Sequence, residues 1–216
     1  MDRDRIRRKA QKSFRTDAGW WSRGYLPHYD SAEHTQFVTI RLADSVPKHV
    51  QVSLNAELEA LKKKGEDSSS IGYHRCKRME ALLDAGYGCC VLKAESVADV
   101  IIKALENLVE QGHEVLRWVI MPNHIHLLLK IRHGTSLSSV IRFFKGRTGK
   151  QANEALGSSG RFWFPEYFDR YIRDSDHLNK VLHYIDQNPV RAGLVKAAAD
   201  WRFGSAGADN CRGAFA

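Results

Sequence analysis

Two strand-like segments joined by only two residues constrain the fold more than any other feature of this chain. Residues 114–121 and 124–131 are rich in β-branched and other apolar side chains, and Pro122-Asn123 lies between them. Two runs of this kind with a two-residue connection are typical of a β-hairpin, in which the strands pair antiparallel. We therefore predict an antiparallel sheet that contains this hairpin.

Hydrophobic periodicity predicts the remaining elements. Alternation predicts a further strand at 36–42 and an extended segment over 162–172. Apolar positions at helical spacing predict helices over residues 48–64, 72–85, 97–110, 136–152 and 174–188. We expect Ser96 to cap the third of these helices at its N-terminus. Pro189 is expected to end the last one, because proline disfavours helical geometry in the residue before it.

The composition indicates a folded chain with an excess of positive charge. Hydrophobic residues make up 43% and charged residues 27%, an ordinary globular balance. No apolar run approaches the roughly 20 residues that span a bilayer, and no hydrophobic stretch follows the charged start, so we expect a cytoplasmic protein without a membrane partner. The net charge of +8 favours a polyanion such as nucleic acid. A charge that serves only solubility is the alternative, and charge alone does not separate the two.

The chain divides into one predicted domain with appendages. Residues 1–20 are rich in arginine and lysine and predict a basic flexible arm that neutralises phosphates, or else a solvated tail. Residues 21–206 form the predicted domain, with a helical insertion around 48–110. Residues 207–216 form a weakly patterned tail.

His124 and His126 stand two apart in the second strand of the predicted hairpin. Alternate residues of a strand point to the same side, so both imidazoles project together and Ile125 points to the opposite, buried side. Two convergent imidazoles can bind a divalent cation. The alternative is a pair of exposed histidines on a half-buried strand. Two polar rings side by side on an otherwise apolar strand favour a functional role.

Tyr184 and Asn188 lie four residues apart on the last predicted helix and therefore share one of its faces. A phenol beside a cation can attack phosphorus, because the cation polarises the phosphate and stabilises the leaving oxygen. The Asn188 amide oxygen could serve the same cation as a further ligand. Taken alone, Tyr184 is one of seven tyrosines, and packing against the core would account for it.

Both sites lie in longer motifs, Val119-Ile-Met-Pro-Asn-His-Ile-His-Leu-Leu-Leu129 and Tyr184-Ile-Asp-Gln-Asn-Pro-Val-Arg-Ala-Gly-Leu194. Together and in this order they resemble the motifs of the single-tyrosine HUH transposases. Within that superfamily the chain looks most like the group associated with repetitive extragenic palindromes, the REP-associated tyrosine transposases. The segments 24–30 and 37–44 fit the start of that group, and the resemblance spans about residues 21–206.

The resemblance implies an α+β fold, a ferredoxin-like antiparallel sheet with packed helices, in which the histidine strand is central and faces the Tyr184 helix. It implies that His124 and His126 hold Mg²⁺ or Mn²⁺, with Asn188 as the candidate third ligand. It implies that Tyr184 attacks a scissile phosphate and leaves a 5′-phosphotyrosine link and a free 3′-OH. The group that accepts the tyrosine proton remains open.

The resemblance also implies a partner, single-stranded DNA that folds into palindromic hairpins with a short flanking tetranucleotide. Phe162 and Trp163 are candidates for stacking on unpaired bases, or else core residues. The arm residues from Arg3 to Lys12 are further candidates for phosphate contact. The candidate DNA-binding cations of the domain are Arg142, Lys145, Arg147, Lys150, Arg170 and Arg173.

Two other functions compete with a nicking and joining enzyme. One is a domesticated nucleic-acid-binding protein that keeps the fold without turnover. The other is a hydrolytic metalloenzyme that uses water at the histidine site, with Tyr184 in a structural role. Either a monomer or a dimer is compatible with the resemblance.

Overall fold

The structure, a computed structural model, describes residues 20–22, 27–29 and 34–208. The predicted basic arm, apart from Trp20, and residues 209–216 of the predicted tail lie outside the described residues. Two short strands, β1 (Trp20–Ser22) and β2 (Pro27–Tyr29), pair antiparallel.

A four-stranded antiparallel sheet forms the centre of the fold. Its strands are β3 (Gln36–Arg41), β4 (Glu114–Ile120), β5 (His124–Lys130) and β6 (Phe168–Tyr171). They lie in the order β4-β5-β3-β6, so the predicted hairpin forms and its second strand is central. Counted along the chain, the first strand of this sheet, β3, lies between the third, β5, and the fourth, β6. This is the ferredoxin-like order, and it confirms the predicted α+β class.

Six helices complete the described chain. They are α1 (Lys48–Lys63), α2 (Ser68–Asp84), α3 (Glu95–Glu110), α4 (Leu137–Ala155), α5 (Ser175–Arg191) and α6 (Ser205–Ala208). Two 3-10 turns, Val91–Lys93 and Ala198–Asp200, lie between them. Among the helices in the described ranges, none is long and apolar enough to cross a membrane.

The two faces of the sheet bury separate cores. On one face, Ile125, Leu127 and Leu129 of β5 pack with apolar residues of α3 and α4. On the other face, Leu128 packs with Phe37 and with the inner side of α5. Since successive strand residues alternate between faces, His124 and His126 belong to the second face, beneath α5.

Three local expectations need correction. The extended segment over 162–172 contains regular strand only at β6, and Trp163 forms an isolated bridge with Leu42. Ser96 lies inside α3, whose N-cap position is Ala94. Pro189 does not end α5, because proline removes only one hydrogen bond and the Ala192 N–H still bonds the Asn188 carbonyl.

The first two helices form a hairpin that stands apart from both cores. No residue of α1 or α2 belongs to either core cluster. Among the described helices and strands, each of these two helices packs extensively only against the other. By contrast α3 packs against α4 and β4 in the main core. The helices that lie outside both cores are therefore those of residues 48–84, the first part of the helical insertion expected around 48–110.

Candidate active site and metal centre

The two histidines of β5 point into the protein beneath α5. His124 and His126 are each only 1% exposed, and their Nε2 atoms lie 3.1 Å apart. Ile125 between them lies in the core on the opposite face of the sheet. The period of two along a strand thus brings both imidazoles together, as the His-Ile-His spacing predicts.

Each imidazole is held through its outer nitrogen. The Nδ1 atom of His124 is 2.8 Å from the Asn123 side-chain oxygen, and the Nδ1 atom of His126 is 2.8 Å from the Thr39 hydroxyl. Thr39 is the direct partner of His126 in the pairing of β3 with β5. Such contacts orient the rings and leave both Nε2 atoms facing each other.

Burial keeps both rings in the neutral form that binds metals. Loss of solvent lowers the pKa of His124 to about 3. Burial also lowers the pKa of His126 well below its ordinary value, with the neighbouring His124 and Arg191 adding to the effect. Neutral imidazole is the ligand form of histidine, so no proton has to leave before a cation binds.

Tyr184 and Asn188 approach the histidines from α5. The Tyr184 ring centre lies 5.3 Å from that of His126, and Phe37 packs against both rings. Asn188 is fully buried. The Tyr184 hydroxyl interacts with the Asn188 amide and the Glu80 carboxylate, but neither this hydroxyl nor the polar atoms of the Asn188 amide form a hydrogen bond of good geometry with a described residue. Poorly satisfied buried polar atoms are uncommon, and a bound ion is one explanation for them.

Local sequence and tertiary packing together hold α5 in this position. The Asp174 side chain accepts a hydrogen bond from the His177 N–H and so caps the helix. Val181 and Ile185 bury the inner side of the helix on the sheet. Arg117 of β4 and Asp186 form an ion pair of 3.4 Å.

The donor set fits a divalent cation. Metal–imidazole bonds of about 2.1 Å at right angles would place two nitrogens about 3 Å apart, close to the separation of the two Nε2 atoms. If both outer nitrogens carry protons, the two Nε2 lone pairs face each other, and a cation between them removes the repulsion. Within the described part of the chain, His, Cys, Asp and Glu form no cluster of three or more. Asn188, buried on the same helix face as Tyr184, remains the candidate third ligand that the family resemblance implies.

Charged groups from α2 and from the end of α5 surround the phenol. Burial raises the pKa of Tyr184, and the carboxylates of Glu80 and Asp84 raise it further, while Arg191 acts in the opposite direction. The guanidinium carbon of Arg191 lies 5.0 Å from the centre of the Tyr184 ring. The phenol therefore stays protonated in the free protein.

The candidate DNA-binding residues lie on two different surfaces. Helix α4 packs on the sheet face opposite the histidines, so the exposed Arg142, Arg147 and Lys150 lie away from Tyr184. Arg170 on β6 and the exposed Arg173, which precedes α5, lie on the part of the chain that leads to Tyr184.

Two of the candidate DNA contacts have structural roles. Lys145 does not point outward: its ammonium group donates hydrogen bonds of 2.7 Å to the carbonyls of Phe164 and Pro165. Trp163 is buried and its indole N–H donates to the Thr148 hydroxyl, so it belongs to the core. Gly149 favours this packing, because a Cβ there would lie in tight contact, 3.3 Å from the Phe162 Cβ.

Sequence reasoning missed four residues around the site. Asn123 directly precedes His124 within the quoted motif, so the motif itself contained that signal. Arg191 follows Tyr184 by seven residues, two helical turns, so helical periodicity could have placed it on the same face. Thr39 and Glu80 are far from the site in sequence, and only strand register and helix packing bring them near it.

A known family matches the part of the chain that contains the candidate site. The family described as IS200-like transposases matches residues 88–188, which include the histidine pair, Tyr184 and Asn188. The matched segment begins after α2, so the α1–α2 hairpin lies outside it.

Individual proteins are similar to this chain as well. The chain is 32% identical over 107 residues to the REP-associated tyrosine transposase of Escherichia coli. The aligned segment covers 49% of this chain and 62% of that protein. It spans less than two thirds of the length of the curated relatives that it matches. A solved structure of a REP-associated tyrosine transposase bound to a REP hairpin aligns with a TM-score of 0.51 at 23% identity. That alignment covers 86% of this chain and 84% of the other, and it supports the fold.

Proposed function

We propose that the chain, which is similar to the REP-associated tyrosine transposases, nicks and rejoins single-stranded DNA through a covalent bond to Tyr184. One observation carries the proposal. The Tyr184 ring lies against His126, the Nε2 atoms of the two neutral imidazoles face each other, and the buried Tyr184 hydroxyl lies beside the Asn188 amide from the same helix face.

In the proposed reaction the Tyr184 oxygen attacks a backbone phosphorus and the bond from phosphorus to the 3′ oxygen breaks. The products are a 5′-phosphotyrosine and a free 3′-OH, and the proton that leaves the phenol is balanced by the one that the 3′ oxygen gains. Rejoining is the reverse step, in which a 3′-OH attacks the phosphotyrosine. No external energy source is needed, because one phosphodiester replaces another.

We assign His124 and His126 to a divalent cation, Mg²⁺ or Mn²⁺, with Asn188 as the third protein ligand. When bound, this cation withdraws electrons from the phosphate and stabilises the leaving oxygen. Thr39 and Asn123 hold the imidazoles in the required orientation, and Phe37 keeps the phenol beside His126. The phenol has to lose its proton during attack, because burial and two carboxylates favour its neutral form.

The proposed DNA substrate contains palindromic hairpins. We assign Arg170 and Arg173 to the strand that is cut, because they belong to the part of the chain that leads into α5. We assign the exposed cations of α4, Arg142, Arg147 and Lys150, to duplex phosphates across the sheet. Lys145 positions the 164–165 backbone and contributes to DNA binding only through that loop.

The test is a covalent adduct. The protein is incubated with Mn²⁺ and a single-stranded oligonucleotide that carries a palindromic hairpin and both flanks, preferably from the DNA beside its own gene. We expect an adduct that survives denaturing electrophoresis with wild type and with Tyr73→Phe, which changes an exposed tyrosine of α2, and none with Tyr184→Phe. Binding without an adduct would indicate a non-catalytic DNA-binding protein. Cleavage that survives Tyr184→Phe would indicate a water-dependent hydrolase.

A further inference from the structure

Arg191 lies beside the phenol at the end of α5. It follows Tyr184 by seven residues, so two helical turns place both on one face. Its guanidinium carbon is 5.0 Å from the Tyr184 ring centre, and its side chain is 48% exposed. A solvent-accessible guanidinium therefore stands next to a buried nucleophile.

The partner of Arg191 in the free protein is an acidic stripe on α2. The nearest Asp84 oxygen is 3.8 Å from the Arg191 Nη2 atom, longer than the 2.7–2.9 Å of a charge-assisted hydrogen bond. Glu80, one turn earlier on α2, also interacts electrostatically with Arg191 and Tyr184. Arg191 is thus attracted to both carboxylates, but it forms no close hydrogen bond with Asp84, its ion-pair partner.

Phosphate and carboxylate compete for the same guanidinium chemistry. Both are anions with oxygens that match the planar donors of arginine, and phosphate is a frequent arginine ligand. We propose that Arg191 binds the DNA phosphate that Tyr184 attacks, and that Asp84 and Glu80 of α2 stand in for that phosphate in the free protein. This inference rests on the proposed function, because it requires a DNA phosphate at Tyr184.

A cavity adjoins the α1–α2 hairpin close to the histidine site. Residues of α1 and α2, including Glu80, line this cavity of about 560 Å³, and so does Thr39, which holds His126. The hairpin belongs to neither core of the sheet. DNA that enters at Tyr184 therefore replaces the α2 carboxylates on Arg191 while the sheet stays intact.

The first test measures how DNA affinity depends on salt, in a Tyr184→Phe background so that nothing is cut. We expect Arg191→Gln to weaken binding of the hairpin oligonucleotide and to reduce the salt slope by about one, the loss of a phosphate contact. The matched control is Arg78→Gln, which removes an equal charge from an arginine of α2 that pairs with Glu57. It is expected to leave the slope unchanged.

The second test removes the competing carboxylate. Asp84→Asn is expected to tighten DNA binding several-fold, since Arg191 no longer has to break an ion pair with Asp84 before it binds the phosphate. Glu57→Gln, the control, makes the same change of net charge on α1 where Glu57 pairs with His74 and Arg78. Its affinity should stay at or near that of the parent.

Equal salt slopes for Arg191→Gln and Arg78→Gln would overturn the proposal, as would equal affinities for Asp84→Asn and Glu57→Gln. If Arg191→Gln does not fold, Arg191→Lys decides. It should keep the salt slope but bind several-fold more weakly, and an affinity equal to the parent's would overturn the proposal. The proposed function fails separately, if wild type binds the DNA and forms no adduct. Absence of DNA binding would overturn both.

Discussion

Individual side chains already explain why this site suits a cation and a nucleophile. The rings of His124 and His126 are neutral because they are buried, and they are oriented because Asn123 and Thr39 engage their outer nitrogens. An oriented, neutral pair binds metal without first losing a proton or a rotamer. The residues that hold the imidazoles should therefore matter nearly as much as the imidazoles.

Thr39 offers a direct test of the role of the residues that hold the imidazoles. Thr39→Val keeps the branched shape on β3 and removes the hydroxyl that holds His126 Nδ1. We expect the affinity for Mn²⁺ to fall by about 10- to 100-fold, measured by calorimetric titration. Thr39→Ser keeps the hydroxyl and should bind Mn²⁺ like the wild type. An unchanged affinity in the valine variant would show that the hydroxyl does not orient the ring.

Secondary-structure elements decide which residues can act together. Because α5 continues through Pro189, it carries Tyr184, Asn188 and Arg191 on one face. Because α4 lies across the sheet, its cations can contact DNA only on the far side from Tyr184. The same helix anchors the segment that leads to β6, through Lys145 and the Phe164 and Pro165 carbonyls.

Two lysines of α4 should therefore separate stability from DNA binding. Lys145→Met removes two hydrogen bonds from a charged donor, and we expect the free energy of unfolding to fall by about 1–3 kcal/mol in denaturant titrations. Lys150 is 77% exposed, and Lys150→Met should change stability by less than about 0.5 kcal/mol while weakening DNA binding. Equal stability losses in both variants would contradict the anchoring role.

At the scale of the whole molecule, a sheet with two cores of its own carries a helical hairpin that belongs to neither core. Both ends of the hairpin meet at one point, where the Cys89 N–H donates to the Asp44 carboxylate at 2.7 Å. Gly88 has a positive φ, and a Cβ there would lie 2.7 Å from the Asp44 carbonyl oxygen, so the approach requires glycine. The two cores of the sheet contain no residue of the hairpin.

Replacement of residues 48–84 by a short glycine-serine linker should therefore leave a folded protein. We expect cooperative unfolding and Mn²⁺ binding to persist, because the sheet, α5 and the ligands remain. Nitration of Tyr184, located by peptide mass spectrometry, should be faster than in the full chain, since α2 no longer lies near it. A truncated protein without cooperative unfolding would show that the hairpin is part of the core.

Much of the site could be predicted from short-range spacing. His124 and His126 share a side because a strand repeats every two residues, and Tyr184 and Asn188 share a face because a helix repeats near every four. These relations depend on backbone geometry alone, so the motifs predicted them together with the hairpin and the α+β class. The end of α5 was predicted wrongly, because the single hydrogen bond lost at Pro189 is outweighed by burial of the proline and by the bonds beyond it.

Contacts between distant parts of the chain were decided only by tertiary packing. Thr39 supports His126 because β3 and β5 pair in one register, and a shift of one residue would turn Thr39 to the other face. Lys145 binds backbone carbonyls rather than solvent, and α2 brings Asp84 close to Arg191. Local sequence permits many such pairings equally, and the free energy of packing the whole chain selects among them. Strand and helix periodicity therefore predicted which candidate residues share a face, and the family resemblance suggested their roles, while the surroundings that hold and charge them exist only in the folded molecule.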